Sequence, residues 1–269
     1  MNKRYIVLIL LAVLLIIGGL IFFSHNNRVQ RYAAVKYEID VLSEPLFTID
    51  EIDSFLAQKC GQIVGEKIDS VSKVNIEKVV ESYPYIVNAD VLTKGRVLIV
   101  KAQQEHPIVK VFNQNNECYY IAKTGKVMPE ASTDNRLLVA SGNINNKYDT
   151  TIYVNRQTMW RNDTLRHKDR YTLYMIWELA RYIDKHPFWK AQIGQIYIND
   201  KQEIELVPTV GNHVVNFGSI AIDAVPEEVI DNKMNNLKSI YKNGFSIRGW
   251  DRYKEINLKY GNEIPCTKR

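Results

Sequence analysis

The stretch Tyr83–Ala102, YPYIVNADVLTKGRVLIVKA, decides the fold of the first part of the chain. Pro84 ends a helix, because proline cannot donate the next helical hydrogen bond and restricts the residue before it. Two strands follow, Ile86–Leu92 and Arg96–Ala102, and a turn at Lys94-Gly95 joins them. We therefore expect an antiparallel hairpin directly after a helix.

The residues before this hairpin supply a strand and two helices. Val35–Leu42 alternates apolar side chains and is predicted as a strand. A helix starts at Thr48, because Glu51 three residues later completes a capping box. Both helices carry apolar side chains at helical spacing, namely Ile49, Ile52, Phe55 and Leu56 in the first and Ile76, Val79, Val80 and Tyr83 in the second. The order over residues 35–105 is β-α-α-β-β, which predicts two short helices on one face of a three-stranded sheet.

From His106 onward the chain shows short strand patterns separated by turns and interrupted by two helices. The strand patterns are Ile108–Phe112, Cys118–Ala122, Lys126–Met128, Leu137–Ala140, Ile193–Ile198, Glu203–Val207, His213–Phe217 and Lys254–Tyr260, with continuation of the last to Thr267 left open. The helical patterns are centred on Trp177 and Met234. We predict an α+β domain over residues 106–269, built on an antiparallel sheet with flanking helices.

An unbroken apolar run occupies Tyr5–Phe23. Its nineteen residues would cover about 28 Å as a helix, close to the hydrocarbon thickness of a bilayer. We therefore expect a single transmembrane helix at 5–23 in the inner membrane, after a cytoplasmic stub at 1–4 and before a linker at 24–34 and a periplasmic ectodomain. A cleaved signal peptide is the alternative, disfavoured because the run ends on Phe22-Phe23 rather than on small residues.

Composition and charge exclude several classes of function. The chain is 46% hydrophobic and 10% aromatic, as in folded proteins, and its net charge of +5 is spread along the sequence. No basic cluster is interleaved with stacking aromatics, so nucleic-acid binding is disfavoured. Three cysteines, Cys60, Cys118 and Cys266, have neither C-x-x-C spacing nor histidine partners, so we predict no metal site and no cofactor.

Three short matches to penicillin-binding enzymes raise the alternative of a membrane-anchored cell-wall acyltransferase. They are Ser70–Lys73 (S-x-x-K), Lys123–Gly125 (K-T-G) and Ser141–Asn143. That chemistry needs its serine at a buried helix start with the lysine one turn later. Ser70 falls instead in a polar loop, and the K-T-G precedes the serine–asparagine pair, the reverse of the usual order. Three-residue matches therefore carry little weight here.

Several motifs, in order along the chain, resemble the FtsQ/DivIB family of bacterial cell-division proteins. They are Tyr83–Val91, Leu98–Val100 with Pro107-Ile108, Tyr120–Pro129, Phe217-Gly218 with Lys233 and Leu237, and Ile256–Tyr260. Three positions, in two motifs, depart from the family pattern. Gln104-Glu105 replaces an acidic–basic pair, and Ala122 replaces an aspartate, which concerns local contacts rather than the assignment.

The resemblance implies a POTRA-type domain at 35–105, a β domain at 106–269 and no catalysis. It implies a scaffold at the division septum that binds FtsB and FtsL and links them to septal wall synthesis. A transport or outer-membrane assembly factor using the same module is a further alternative. Such proteins usually carry several modules in tandem, which this sequence does not show.

In the family, the partner is thought to add a strand along the C-terminal edge of the β domain. A terminal strand also has an unpaired side on physical grounds, unless the protein's own loops or the membrane cover it. The predicted partner-binding residues are Lys259, Tyr260, Asn262, Ile264 and Cys266. Tyr83, Tyr85 and Lys94 are weaker candidates, for which core packing or a solvated turn is the favoured interpretation.

Overall fold

The computed structural model of the chain describes residues 13–18, 30–41, 44–131, 136–155, 167–220, 224–245, 247, 249–261 and 263–269, with backbone alone at 167–170. The described chain divides into two compact units. The first comprises the described residues up to Asp40, together with Ile49–Tyr83 and Asn88–Ala102. The second comprises Val41–Thr48, Pro84–Val87 and the described residues from Gln103 onward.

The first unit has the element order β-α-α-β-β. Its strands are β1 (Ala34–Asp40), β2 (Ile86–Lys94) and β3 (Val97–Gln104), arranged in the order β1-β3-β2. Its helices are α1 (Ile49–Cys60) and α2 (Lys73–Glu81), with a 3₁₀ turn at Ile68–Ser70 between them. The unit buries alternate residues of β3 and one stripe of each helix, namely Leu98, Val100, Ala102, Ile52, Leu56, Ile76 and Val80.

The second unit is built on a nine-stranded sheet with helices between its strands. The strands are β4 (Pro107–Phe112), β5 (Cys118–Ala122), β6 (Val127–Pro129), β7 (Leu138–Gly142), β8 (Ile193–Ile198), β9 (Ile204–Pro208), β10 (Val214–Gly218), β11 (Tyr253–Asn257) and β12 (Cys266–Lys268). Their order is β12-β11-β10-β9-β8-β7-β4-β5-β6. The helices are α3 (His167–Lys185), α4 (Pro187–Gln192) and α5 (Pro226–Ile240), followed by a π-helical turn at Tyr241–Phe245 and a 3₁₀ turn at Trp250–Arg252.

The prediction of an antiparallel sheet is wrong for three pairings. Strand β7 runs parallel to both β4 and β8, and β10 runs parallel to β11. Helices α3 and α4 connect β7 to β8, and α5 connects β10 to β11. A helical crossover returns the chain to the end of the sheet where the strand began, so the next strand runs parallel. The sequence pattern located α3 and α5 but not α4, and it carries no information on strand direction.

One hydrophobic core holds the second unit together. Apolar side chains from the helices and from alternate strand positions are buried in it, among them Leu173, Ile176, Leu179, Ile230, Met234, Leu237, Val109, Val111, Ile196, Ile198, Leu206, Val215, Phe217 and Ile256. Leu258, just beyond β11, is buried at 1% exposure. Full burial of each such aliphatic side chain stabilises the fold by about 1.5–3 kcal/mol. The core therefore secures the end of the chain as far as β11.

The predicted fold class included a transmembrane helix at Tyr5–Phe23, and this part of the prediction is wrong. No helix among the described residues is long and apolar enough to cross a membrane. Within the predicted span, the structure describes a helical segment at 13–18. The rest of the predicted span, the stub at 1–4 and most of the linker at 24–34 lie outside the described residues.

Candidate partner-binding edge

Strand β12 forms one edge of the nine-stranded sheet. It pairs antiparallel with β11 in the register Ile256↔Cys266, Glu255↔Thr267 and Tyr253↔Lys268. In the part of the chain that the structure describes, no strand pairs with its other side. An unpaired edge presents backbone donors and acceptors on which another strand can form. The edge of β12 is therefore a candidate site for strand addition.

Two residues of β12 turn their backbone groups away from β11. The ladder between these strands closes at one end with Asn257 N–H donating to the carbonyl of Pro265 at 2.9 Å. At the other end Arg269 N–H donates to the carbonyl of Arg252 at 3.2 Å. Backbone groups of successive strand residues point to opposite sides in an antiparallel pair. Cys266 and Lys268 lie between the inward-facing positions, so their N–H and C=O groups point outward.

The chain reverses between β11 and β12, so the strand predicted at Lys254–Tyr260 ends at Asn257, and the continuation to Thr267 that the sequence left open does not occur. A turn follows Leu258, and Gly261 adopts a φ of +62° there, in a region that favours glycine. Pro265, which has no N–H to donate, precedes β12. This reversal places β12, rather than β11, at the edge, and the chain itself covers the terminal strand that the sequence pattern indicated.

The predicted partner-binding residues lie in three different settings. Tyr260 is in the turn and is 65% exposed. Ile264 packs against the hydrophobic core, and Cys266 opens β12 half-buried, with its thiol directed at the carbonyl of Ile264 at 3.6 Å. Lys259 Nζ donates to Glu203 Oε2 at 2.6 Å. Asn262 lies outside the described residues.

Behind the turn, the basic side chains of Lys233 and Lys259 meet at Gly218. Gly218 has a φ of +82°, and a Cβ there would lie 2.9 Å from Lys259 Cγ. Lys233 Nζ donates to the carbonyl of Phe217 at 2.5 Å. Burial and the positive charge of Lys259 lower the pKa of Lys233 to about 8. The separate motifs at 217–218, 233 and 256–260 therefore come together as one supporting cluster beside β11.

The Lys259 ion pair also acts on Glu203. Its hydrogen bond holds the pKa of the Glu203 carboxyl below the ordinary value. Because the ammonium group of Lys259 is bound to this carboxylate, the side chain helps to hold the turn in place and does not simply project into solvent. Among the predicted residues that the structure describes, Tyr260 thus has the most exposed side chain.

Sequence reasoning predicted Cys266, the first residue of the edge strand, and missed the rest of that strand. Thr267 and Lys268 belong to β12, and Arg269 extends it, with its guanidinium Nη2 donating to the carbonyl of Asn212 at 2.5 Å. His213, next to that carbonyl, is 2% exposed. Lysines on short edge strands commonly protect against uncontrolled pairing. This was the one sequence signal that could have identified Lys268 as an edge residue.

The opposite edge of the sheet, at β6, is covered by the chain itself. Val127 N–H donates to the carbonyl of Ile152 at 3.2 Å, and Val154 N–H donates to the carbonyl of Gly125 at 2.7 Å. An isolated bridge joins Lys126 to Tyr153 between these two bonds. We call residues 152–154 the strap. It occupies the outward N–H of Val127, the first residue of β6, and pairs with the two residues before it.

The weaker candidates Tyr83, Tyr85 and Lys94 do not form one surface. Tyr85 is 8% exposed, stacks on Phe47 at a centroid distance of 6.0 Å and donates its hydroxyl to the carbonyl of Glu130 at 2.9 Å. Tyr83 packs at 5.0 Å from the ring of Phe55. Lys94 is exposed at the end of β2. Tyr85 therefore belongs to the interior of the second unit.

The residues of the penicillin-binding matches are engaged in ordinary structural contacts. Ser70 Oγ donates to the carbonyl of Lys67 at 2.8 Å in the exposed 3₁₀ turn, away from any buried helix start. Thr124 Oγ1 donates to the buried carboxylate of Glu105 at 3.0 Å, and Ser141 Oγ accepts from Gln195 at 2.7 Å. One residue of each motif fragment is thus held in a structural hydrogen bond.

No metal-binding cluster is found among the described residues, and the three cysteines are free thiols. Burial raises the pKa of Cys118 to about 11, with smaller opposing contributions from its charged neighbours. Burial also raises the pKa of Cys266 above its ordinary value. Both thiols are thus protonated at neutral pH, the form that does not act as a nucleophile.

A family model described as FtsQ/DivIB, C-terminal related, matches residues 106–267. No match was found among curated proteins. The matched region spans strands β4 to β11 and reaches into β12, so it contains the edge described above.

Proposed function

The chain belongs to the FtsQ/DivIB family of bacterial cell-division proteins, and on this premise we propose that it is a non-enzymatic scaffold of the division complex. It acts at the division septum, where it binds partners of the FtsB and FtsL type and links them to septal wall synthesis. One observation carries this proposal: the matched region leads into a strand whose outer side has no partner within the described chain.

Strand addition at β12 provides only part of the binding free energy. The N–H and C=O groups of Cys266 and Lys268 allow up to four hydrogen bonds, each contributing about 1 kcal/mol net. Their sum, roughly 4 kcal/mol, corresponds to a dissociation constant near 1 mM. A micromolar complex needs about twice that free energy. The remainder has to come from side chains at the ends of the edge.

Tyr260 is the best-placed side chain for this additional contribution. Its ring is exposed in the turn before β12, and tyrosine is among the residues that most often dominate interface energetics. Exposed basic residues at Arg252, Lys254 and Lys268 also surround the edge. Positive charge there favours the approach of a partner segment that carries acidic residues. We propose that backbone pairing sets the register and Tyr260 supplies the anchoring contact.

In-cell photo-crosslinking from position 260 tests this function. Position 153 provides a matched control, because Tyr153 is also an exposed tyrosine but lies on the strap at the opposite edge. We expect adducts from position 260 to a small single-span coiled-coil division protein and none from position 153. Absence of that adduct at 260, or equal adducts at both positions, would contradict the proposal.

A further inference from the structure

A buried histidine lies against the end of the candidate edge. His213, directly before β10, is 2% exposed. Its Nε2 lies 2.9 Å from the hydroxyl oxygen of Tyr241. Its Nδ1 is buried and has no hydrogen-bond partner among the described residues. An imidazolium carries a proton on both ring nitrogens, so charging this side chain would leave a buried N–H without an acceptor.

Aromatic rings enclose the imidazole. Ring centroids of Tyr241, Phe245 and Trp250 lie 5.5, 5.0 and 6.3 Å from that of His213. The backbone also approaches closely, since a Cβ at Gly211 would lie 3.0 Å from Nδ1. The imidazole is therefore buried among rings and backbone, and in its neutral form it packs there as one more aromatic ring. A charged imidazole would lose its hydration without a replacement.

Two charged groups face His213 from neighbouring elements, with Tyr241 as the titratable group that bonds it. Burial and then the positive charge of Arg269 lower the pKa of His213, against a smaller opposite effect of Asp251. Arg269 is also the residue that fastens the end of β12. Its guanidinium binds the carbonyl of Asn212, and its backbone N–H binds the carbonyl of Arg252.

We propose that His213 and Arg269 form a pH-responsive clamp on β12. At neutral pH the uncharged imidazole leaves Arg269 seated on Asn212, and β12 is held on β11. Acidification charges His213, which repels the guanidinium and lacks an acceptor for its second proton, so the end of β12 detaches. The clamp rests on the proposed function in one respect: release of β12 removes the strand on which the partner docks.

The direction of the pH effect follows from proton binding. The closed form has the lower histidine pKa, so the open form binds more protons below the ordinary value near pH 6.5. Closure is therefore fully stable above that pH and is lost progressively as the pH falls from there through the lowered histidine pKa of the closed form. Binding of a partner strand at β12 weakens over the same range.

Amide hydrogen exchange at β12 tests the clamp on the whole chain. Exchange is measured at about pH 7.5 and about pH 5.5, on either side of the ordinary histidine pKa, and corrected for intrinsic rates. We expect loss of protection at the Thr267 and Arg269 amides on acidification. The loss disappears in His213→Gln, which retains a polar group towards Tyr241 but does not titrate. It persists in His186→Gln, a matched change at a histidine that bonds the carbonyl of Tyr182.

A second variant keeps the clamp testable if His213→Gln does not fold. His213→Phe combined with Tyr241→Phe removes both members of the buried hydrogen bond and keeps the rings, and it should also be insensitive to pH. Protection of β12 that is unchanged on acidification, or an acid response that survives in both His213 variants, overturns the clamp. Partner binding measured in parallel separates the two proposals. A pH-responsive β12 with no partner at any pH refutes the docking function alone, and partner binding on a pH-invariant β12 refutes the clamp alone.

Discussion

The nine-stranded sheet has an edge strand on each side, β6 and β12, and the two strands are equally long. The chain covers one of them and leaves the other uncovered among the described residues. Strand β6 is covered by the strap, which bonds Val127 and Gly125 and bridges Lys126. Strand β12 is covered by nothing within the described chain. Exposed edges invite uncontrolled pairing, and proteins protect them unless the edge has a use. The comparison shows that the chain covers one edge and leaves the other unpaired among the described residues, as the proposed docking of a partner strand at β12 requires.

The closed edge depends on a glycine, and this explains why the strap can approach. Gly125 has a φ of +89°, and a Cβ at this position would lie 2.2 Å from the carbonyl oxygen of Val154. No side chain other than hydrogen fits there. The open edge has no such close contact at Gly261, where a Cβ would have no described atom within 4 Å. Whether an edge strand is covered thus depends on how closely another backbone segment can approach it, and not on the length of the strand.

The largest expected effect comes from breaking the closed edge with Gly125→Ala. The clash with Val154 and the positive φ together should lower the free energy of unfolding by about 3 kcal/mol. Gly249→Ala is the matched control, because its φ of +87° is similar but no described atom lies within 4 Å of a Cβ there. We expect about 1–2 kcal/mol there, from backbone strain alone. Equal losses in both variants would show that the strap contact is unimportant.

Urea unfolding followed by tryptophan fluorescence measures how far each variant lowers the free energy of unfolding of the second unit. The four tryptophans are Trp160, Trp177, Trp189 and Trp250, all after residue 103 in the sequence. Their fluorescence therefore reports the second unit rather than the first. Gly125→Ala should additionally increase self-association, because it uncovers a second edge.

Charge at the open edge should give the next largest effect. Tyr260→Glu removes the proposed anchor, and we expect it to weaken binding of an FtsB-type fragment by about 2 kcal/mol, or roughly thirtyfold. Tyr153→Glu makes the same change at the closed edge and should leave the dissociation constant unchanged. Isothermal titration calorimetry of both variants with this fragment measures the two dissociation constants. If the two variants bind equally well, Tyr260 has no role in docking.

A proline at the edge isolates the contribution of backbone pairing. Lys268→Pro removes an outward N–H while the inward bonds of β12 to β11 remain possible. Lys268→Ala removes the same side chain and keeps that N–H. We expect the proline variant to bind the partner about tenfold more weakly than the alanine variant, which corresponds to one hydrogen bond of about 1.4 kcal/mol. Equal affinities would indicate that the partner does not add a strand at β12.

The smallest expected effect concerns the supporting cluster behind the open edge. The pKa of Lys233 is lowered from 10.5 to about 8 in the folded chain, so the unfolded chain binds more protons between these values. Stability should therefore rise with pH from 8 towards about 9.5, before tyrosines titrate. Lys233→Met should remove this increment while leaving the remaining pH dependence intact. An identical pH profile for both proteins in urea unfolding would contradict the assignment.

Several features of the fold and site could be predicted from the sequence. The β-α-α-β-β order was predictable because Pro84 and the apolar spacing of two helices act within a few residues. The family was predictable, and the match over 106–267 confirms it. The predicted transmembrane helix and the fully antiparallel sheet were wrong. Strand direction depends on where a crossover returns the chain, which local patterns do not record.

By itself, the sequence determined the long helices, most strands and the family, because these follow from short-range periodicity and from motifs that recur in order. Tertiary structure alone decided which strand lies at the edge. The reversal at Gly261 and Pro265 turns an apparent continuation into β12, and burial of Leu258 against the core secures that reversal. Tertiary structure also placed His213 against Arg269, since residues 56 positions apart in sequence meet only when β10, β11 and β12 pair side by side.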